Sequence, residues 1–143
     1  MKALSIRQPW AWAILAGIKP IENCTWPTSF RGPVLIHAGK REERSNIDYV
    51  LRECSHHTGT SVALLRNAYD QQAAMGAIIG AVTITDCVTD HPSPWFHGPH
   101  GFVLERPARA MKPVACAGTL GFFTVPDDML AGLDILGYVE ATG

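Results

Sequence analysis

Lys19 and Glu22 are the residues of this chain whose types and spacing best suit chemistry at a binding site. They follow Gly17 closely, at a point where the sequence predicts that a helix ends and a strand begins. A lysine ammonium can donate to a carbonyl or phosphate oxygen, and a carboxylate can accept from an exocyclic amine. The alternative is a surface ion pair that contributes under about 1 kcal/mol to folding. The residues by themselves favour the ion pair.

Three further polar residues, Ser5, Arg7 and Gln8, lie on the first predicted strand and at its exit. Arg7 could reach a phosphate, and Gln8 could bond to a base edge. Arg7 could equally tie the fold together by pairing with a buried carbonyl or carboxylate, and the sequence leaves both roles open. Gln8 directly precedes the first helix, which favours a role at the site.

Aromatic residues near these positions could stack on a base, which contributes about 1–3 kcal/mol per base. Trp26 ends the second strand, and Trp95 lies in the Pro-punctuated loop 89–99, where a large apolar side chain needs a partner. A loop that simply packs onto the rest of the fold is the alternative. Trp10 follows the helical apolar spacing and is expected to lie in the core.

The histidines and cysteines follow no recognised zinc spacing, and no acid is interleaved as in hydrolytic metal motifs. We therefore expect neither a metal nor a cofactor. His37 ends an apolar strand, where a hydrogen-bonded core histidine is favoured over a role in the wall of a site. The four cysteines lie far apart, and no signal-peptide or membrane-span pattern is present, which together predict a cytoplasmic protein.

The composition indicates one folded domain. The 143 residues are 47% hydrophobic and 17% charged, which favours a buried core over disorder. The formal net charge of −1 argues against tight nonspecific binding to duplexes, which depends on many phosphate contacts. It does not argue against the capture of a single nucleotide in a pocket.

Hydrophobic periodicity and Gly/Pro positions predict five or six strands with interspersed helices. The expected strands are 2–7, 21–26, 33–38, 76–88, 100–106 and 119–125. The expected helices are Pro9 to Gly17, 45–57 with Ser45 as its cap, 61–72 and 126–133, and the tail after residue 136 is weakly patterned. A small β-barrel with helices over its openings and an open α+β sandwich both satisfy this pattern.

Residues 4–38 resemble the signature of the ASCH domain, a relative of the PUA fold, which reads S-x-R-Q-P-(W/Y) and then G-x-K-x-x-E-x-R. The matching residues are Ser5, Arg7, Gln8, Pro9, Trp10, Gly17, Lys19 and Glu22. The resemblance continues over 76–125 and is weak over the residues between. It implies an α+β fold, a small PUA-like β-barrel of five to six strands with helices covering the barrel ends. It also implies a single domain over 1–143 with a helical insert at about 41–73.

The resemblance further implies that RNA, another single-stranded nucleic acid or a nucleoside-type molecule binds in a cleft at the barrel mouth, with no membrane partner. Lys19 and Glu22 are then expected at the cleft surface, outside the core. The ligand-binding residues are expected to be Ser5, Arg7, Gln8, Lys19, Glu22, Trp26, His37 and Trp95. Other branches of the family hydrolyse N4-acetylated cytidine or cleave RNA, and in such an enzyme Lys19 and Glu22 would be catalytic. An interaction scaffold without a ligand is the third possibility.

Cys24 departs from the signature, which has Arg at this position. Strand side chains repeat every second residue, so Glu22 and Cys24 are expected on the same face. An Arg there could pair with Glu22 and offer its planar fork to a phosphate. Because cysteine supplies neither charge nor reach, we expect the mouth to prefer nucleosides or bases over phosphorylated ligands.

Overall fold

The computed structural model of the protein describes residues 1–134, which contain six strands and four helices. The strands are β1 (Lys2–Gln8), β2 (Ile21–Cys24), β3 (Gly32–Glu42), β4 (Ala77–Val88), β5 (His100–Ala115) and β6 (Phe122–Thr124). The helices are α1 (Trp10–Leu15), α2 (Ile47–Thr58), α3 (Val62–Gln72) and α4 (Asp127–Leu130). The weakly patterned tail after residue 136 lies outside the described residues. No helix within 1–134 combines the length and hydropathy needed to cross a membrane.

All six strands belong to one sheet with the order β2-β5-β4-β3-β1-β6, so β2 and β6 form its two edges. β1 and β3 run parallel, and every other neighbouring pair is antiparallel. This six-stranded sheet with helices packed on it confirms the predicted α+β class.

The sheet curls until its two ends approach each other. Phe102 on β5 and Phe122 on β6 stack with their ring centroids 6.1 Å apart, although three strands separate β5 from β6. Trp26 packs edge-on against both rings, at 5.2 and 5.5 Å. Within the described residues no strand pairing joins β2 to β6, so the barrel-like sheet remains open between these edges.

The core occupies both faces of this curled sheet. Residues 34–38 of β3 are buried throughout, as expected for a continuous apolar run covered on both faces. Leu4 and Ile6 of β1 point to the inner cluster, whereas Ala3 points to the outer one. This alternation along β1 decides which of its polar side chains can meet.

α1 connects β1 to β2 and sets the geometry of the turn that follows it. Gly17, with φ of +78°, ends the helix as predicted, because this left-handed conformation suits glycine. Gly80 lets α1 approach the sheet closely, since a Cβ there would lie 2.8 Å from Leu15 Cδ1 and 2.3 Å from the Ala108 carbonyl oxygen. The close approach fixes the position of the turn that carries Lys19.

α2 and α3 pack on α1 through a second apolar cluster, which includes Val50, Leu51 and Cys54 of α2. The Ser61 hydroxyl caps α3 by accepting from the Leu64 N–H. The predicted cap at Ser45 is wrong. A 3₁₀ turn occupies Arg44–Asn46, so the helix starts later than predicted, at Ile47.

β5 extends well beyond its predicted end at Arg106. Pro107 and Pro113 lie between the paired residues that flank breaks in its register with β4. A proline at such an irregularity costs no ladder hydrogen bond. The two prolines therefore bend the strand without ending it.

Candidate functional site

Lys19 and Glu22 form an ion pair where the sheet stays open. Lys19 Nζ donates to Glu22 Oε1 at 2.9 Å and to the Ile21 carbonyl oxygen at 2.5 Å. The Lys19 side chain is 1% exposed and that of Glu22 is 17% exposed. The expectation that both residues lie at the surface is wrong for Lys19, which is a core residue. Of the two side chains, only that of Glu22 reaches the surface.

Three local features hold this pair in place. The turn after α1 is closed by the Lys19 N–H, which donates to the Ala13 carbonyl oxygen. The Lys19 ammonium lies 5.8 Å from the centroid of the Trp10 ring, within the range of a cation–π interaction. Glu22 pairs with Phe102 across the β2–β5 ladder, which directs its carboxylate toward the inner face. The prediction that Trp10 lies in the core is confirmed only in part, because its side chain is half-buried.

A buried charge must be paired, because removing an ion from water costs several kcal/mol. An ammonium has three donors, and within the described residues Lys19 directs two of them to acceptors. A cavity of about 50 Å³ adjoins the Lys19 stem and is lined by Ile14, Gly17, Pro20, Val82, Leu104 and Pro107. Its volume suits water molecules but not a nucleobase. This cavity therefore gives a nucleobase no room beside Lys19, whereas the Glu22 side chain is open to solvent.

Trp26 and Cys24 lie beside Glu22 at this opening. Trp26 is 36% exposed, and its ring packs on Phe102, the cross-strand partner of Glu22. Cys24 shares the inner face of β2 with Glu22, as the strand alternation predicts, and packs against the inner cluster. We refer to Lys19, Glu22, Cys24 and Trp26 as the mouth.

Burial, reinforced by the negative charge of Glu22, raises the pKa of the Cys24 thiol to about 12. Only the thiolate reacts with alkylating agents, so at pH 8 about one Cys24 in ten thousand is reactive. We expect iodoacetamide to modify Cys24 at least about tenfold more slowly than a free cysteine, as measured by peptide mass spectrometry. Alkylation at the free-cysteine rate would contradict this burial.

The same raised pKa makes folding pH-dependent. Because the folded pKa lies above the unfolded value, this contribution to stability is complete below about pH 8.5 and is lost as the pH rises toward 12. We therefore expect a lower free energy of unfolding at pH 10 than at pH 8, which urea denaturation at the two pH values measures.

Glu22→Gln removes the negative charge that disfavours the Cys24 thiolate. We expect this variant to speed the alkylation of Cys24.

Ser5, Arg7 and His37 line a separate cavity of about 340 Å³. They lie on the outer side of β1 and β3, whereas Glu22 lies on the inner face. The structure thus divides six of the eight predicted ligand contacts between two places. We call the second place the outer pocket, lined by Ser5, Ile6, Arg7, His37, Gly39, Lys40, Arg41 and residues 117–120.

His37 is 3% exposed and is held by two hydrogen bonds. Its Nε2 lies 2.7 Å from the Cys116 carbonyl oxygen, to which it donates. In the tautomer with its proton on Nε2, Nδ1 accepts at 3.0 Å from the Ser5 hydroxyl. The predicted hydrogen-bonded core histidine is thus present, and the same residue lines the outer pocket.

Gln8 and Trp95 were predicted to contact the ligand, but both side chains are buried in the structure. Gln8 is fully buried, with its Oε1 accepting from the Trp12 N–H and its Nε2 donating to the Ala74 carbonyl oxygen. Trp95 is 2% exposed and packs among α2 and α3, with its ring 5.7 Å from that of His57. Protein atoms cover Gln8 completely and leave Trp95 only 2% exposed, although Trp95 also lines a cavity of about 270 Å³ with His57 and Pro94.

Glu43, which the sequence analysis did not single out, links the two places. One of its oxygens accepts from the Trp10 indole at 2.9 Å, and the other pairs with Arg7 at 3.2 Å. The hydrogen bond from the Trp10 indole has the largest effect on the pKa of Glu43. Together with the hydrogen bonds from Arg7 and Asn46, it holds this pKa below its usual value. A continuous chain of contacts therefore runs from Lys19 through Trp10 and Glu43 to Arg7.

The cysteines are unpaired thiols. Burial raises the pKa of Cys54 to about 12, which keeps this thiol neutral inside the helical cluster. Within residues 1–134 no three side chains of the His, Cys, Asp or Glu types converge to hold a metal ion.

The curled α+β sheet with its helical cover defines a PUA-like domain. The model of the ASCH domain family matches residues 4–112, and the chain therefore belongs to this family. The solved structure of ASCH from Zymomonas mobilis is similar in fold, with a TM-score of 0.53 and 12% identity, covering 91% of this chain and 90% of that one. At this identity the likeness shows the fold alone. No curated protein matches the sequence.

Proposed function

We propose that the protein binds a nucleoside, or an unpaired base of RNA, at the mouth. The observation that carries this proposal is the buried Lys19–Glu22 pair at the point where the sheet stays open. Membership of the ASCH domain family supports it, because this PUA-like fold is often linked to RNA binding.

The energetics of the pair favour a ligand over a purely structural role. Replacing a buried ion pair by apolar residues of similar volume is often neutral or stabilising, so stability gives weak grounds for keeping one. The cavity beside Lys19 is lined mostly by apolar residues, yet Glu22 reaches the surface. A carboxylate in this setting can accept from an exocyclic amine, while Lys19 orients and neutralises it.

Trp26 would supply the apolar contact. Phe102 and Phe122 pack against its ring in T-shaped contacts, while the residue remains 36% exposed. Stacking of a base on such a ring contributes about 1–3 kcal/mol and tolerates any base. The proposed ligand therefore has one polar edge on Glu22 and one face on Trp26.

Hydrolysis is a second candidate function, and the 2.9 Å contact between Lys19 and Glu22 favours it. A lysine and a carboxylate in direct hydrogen-bond contact can exchange a proton with a bound substrate. An acylated nucleoside such as N4-acetylcytidine and single-stranded RNA are the two substrates to test by chromatography. Product that disappears in Lys19→Met would establish the enzyme and replace the pure binding function.

Isothermal titration with a panel of nucleosides and nucleotides tests the binding function. We expect a ligand in this panel to bind the native chain, and Glu22→Gln to weaken that binding at least about tenfold, equivalent to the loss of one good polar contact. Glu53→Gln, which removes a carboxylate on α2, is the matched control and should bind normally. A panel without any binding would overturn the proposal and leave the interaction scaffold.

A further inference from the structure

We propose that the outer pocket holds the phosphate backbone of a single-stranded nucleic acid. This inference rests on the proposed function, since it assigns the phosphates of a strand whose base lies in the mouth. The pocket and the mouth contain different residues, so each can fail a test while the other passes.

The charges that line the outer pocket are all positive. Arg7, Lys40 and Arg41 are among its lining residues, and no Asp or Glu is. The whole chain has 12 basic and 13 acidic residues, so this grouping is a local excess on a nearly neutral molecule. Backbone phosphates are the anions that such a group of lysine and arginine side chains binds in nucleic acids.

These cations are available to a ligand. Within residues 1–134 no salt bridge engages Lys40 or Arg41, and both side chains are exposed. Arg7 pairs with Glu43 through Nη1 but is 58% exposed, and a guanidinium has five donors. Arg7 can therefore keep its bond to Glu43 while it donates to a phosphate.

One wall of the pocket packs on the Ser5–His37 pair. A Cβ on Gly118 would lie 2.5 Å from His37 Cε1 and 2.9 Å from Ser5 Oγ, so this backbone segment packs directly on the Ser5–His37 pair. The bond from His37 to the Cys116 carbonyl oxygen holds the same segment. Leu120, 90% exposed at the rim, offers an apolar surface that a sugar or base could cover.

A chain of side-chain contacts links the outer pocket to the mouth. Arg7 connects to Glu43, Glu43 to the Trp10 indole, and the Trp10 ring to the Lys19 ammonium. The mouth carries Cys24 in place of the Arg of the family signature, so it has no fork for a phosphate. Arg7, Lys40 and Arg41 of the outer pocket carry positive charge, which Cys24 at the mouth does not.

Salt-dependent binding of a fluorescein-labelled ten-nucleotide oligouridylate RNA tests this assignment by anisotropy. Each lost phosphate contact on a single strand reduces the slope of log affinity against log salt by about 0.7. Lys40→Ala/Arg41→Ala is therefore expected to reduce the slope by about 1.4 and to weaken binding at low salt at least about tenfold. Arg52→Ala/Lys112→Ala removes the same two residue types outside the pocket and should keep the native slope.

Nucleoside titrations on the same variants separate this inference from the proposed function. Unchanged nucleoside binding together with a reduced RNA slope in Lys40→Ala/Arg41→Ala supports both. A slope equal to that of the control pair overturns the outer pocket and leaves the mouth intact. A reduced slope without nucleoside binding to the native chain overturns the mouth and supports the pocket, and no RNA binding to the native chain overturns the pocket.

Discussion

Glu22→Ala is expected to lower the free energy of unfolding by about 3–5 kcal/mol, the usual cost of breaking a buried ion pair. The reason is that the Lys19 side chain, 1% exposed, would lose its carboxylate and keep, among residues 1–134, only the Ile21 carbonyl oxygen as acceptor. Urea denaturation followed by tryptophan fluorescence measures this change.

The cost of breaking the pair should depend on which partner is removed. Lys19→Met keeps most of the buried volume and leaves Glu22, which is 17% exposed and can be solvated by water. We expect this variant to lose only about 1–2 kcal/mol. The double variant Lys19→Met/Glu22→Ala should be more stable than Glu22→Ala alone, because no unpaired buried charge remains. A larger loss in Lys19→Met than in Glu22→Ala would contradict the burial of Lys19.

The sequence predicted the first part of the fold well because its signals are local. Pro9 and Gly17 bracket α1, and Pro20 prevents the helix from resuming before β2. The length of β5 was not predictable in this way. Pro107 and Pro113 look like strand ends in sequence, and only the register with β4 shows that they occupy irregularities within one strand.

The candidate site was predicted in part. The signature brought Lys19 and Glu22 together, but the burial of Lys19 depends on the packing of α1 and β5, which local sequence does not reveal. The separation of Ser5 and Arg7 from the mouth had a signal in the sequence. Alternation along β1 places both opposite to the inward-facing Ile6, and applying it to these polar residues would have placed them on the outer face.

The sequence did not indicate a role for Lys40, Arg41 and Glu43, because their positions depend on the pairing of strands β1 and β3. β3 continues past its predicted end at residue 38, which carries these residues alongside the end of β1. Glu43 then meets Arg7 and Trp10, whose positions are far away in sequence. Charged residues at a strand end usually lie in solvent, so their composition alone does not indicate a pocket.

Gly80→Ala is expected to lower the free energy of unfolding by about 3 kcal/mol, at the upper end of the usual cost of overpacking. The new methyl group would lie 2.3 Å from the Ala108 carbonyl oxygen and 2.8 Å from Leu15 Cδ1. One of these contacts is backbone, so a rotamer change cannot relieve it, and either β5 or α1 must shift. Since α1 leads into the turn that carries Lys19, nucleoside binding at the mouth should weaken too.

Gly39→Ala is the matched control for this prediction, because it makes the same change in the neighbouring strand β3. Its Cβ would meet Arg7 Cγ at 3.8 Å, an ordinary van der Waals contact, so we expect a stability change within about 0.5 kcal/mol. Chemical denaturation of the two variants under identical conditions gives the comparison. If Gly80→Ala is tolerated as well as Gly39→Ala, then α1 does not depend on its close approach to the sheet, and another contact must position Lys19 and Glu22.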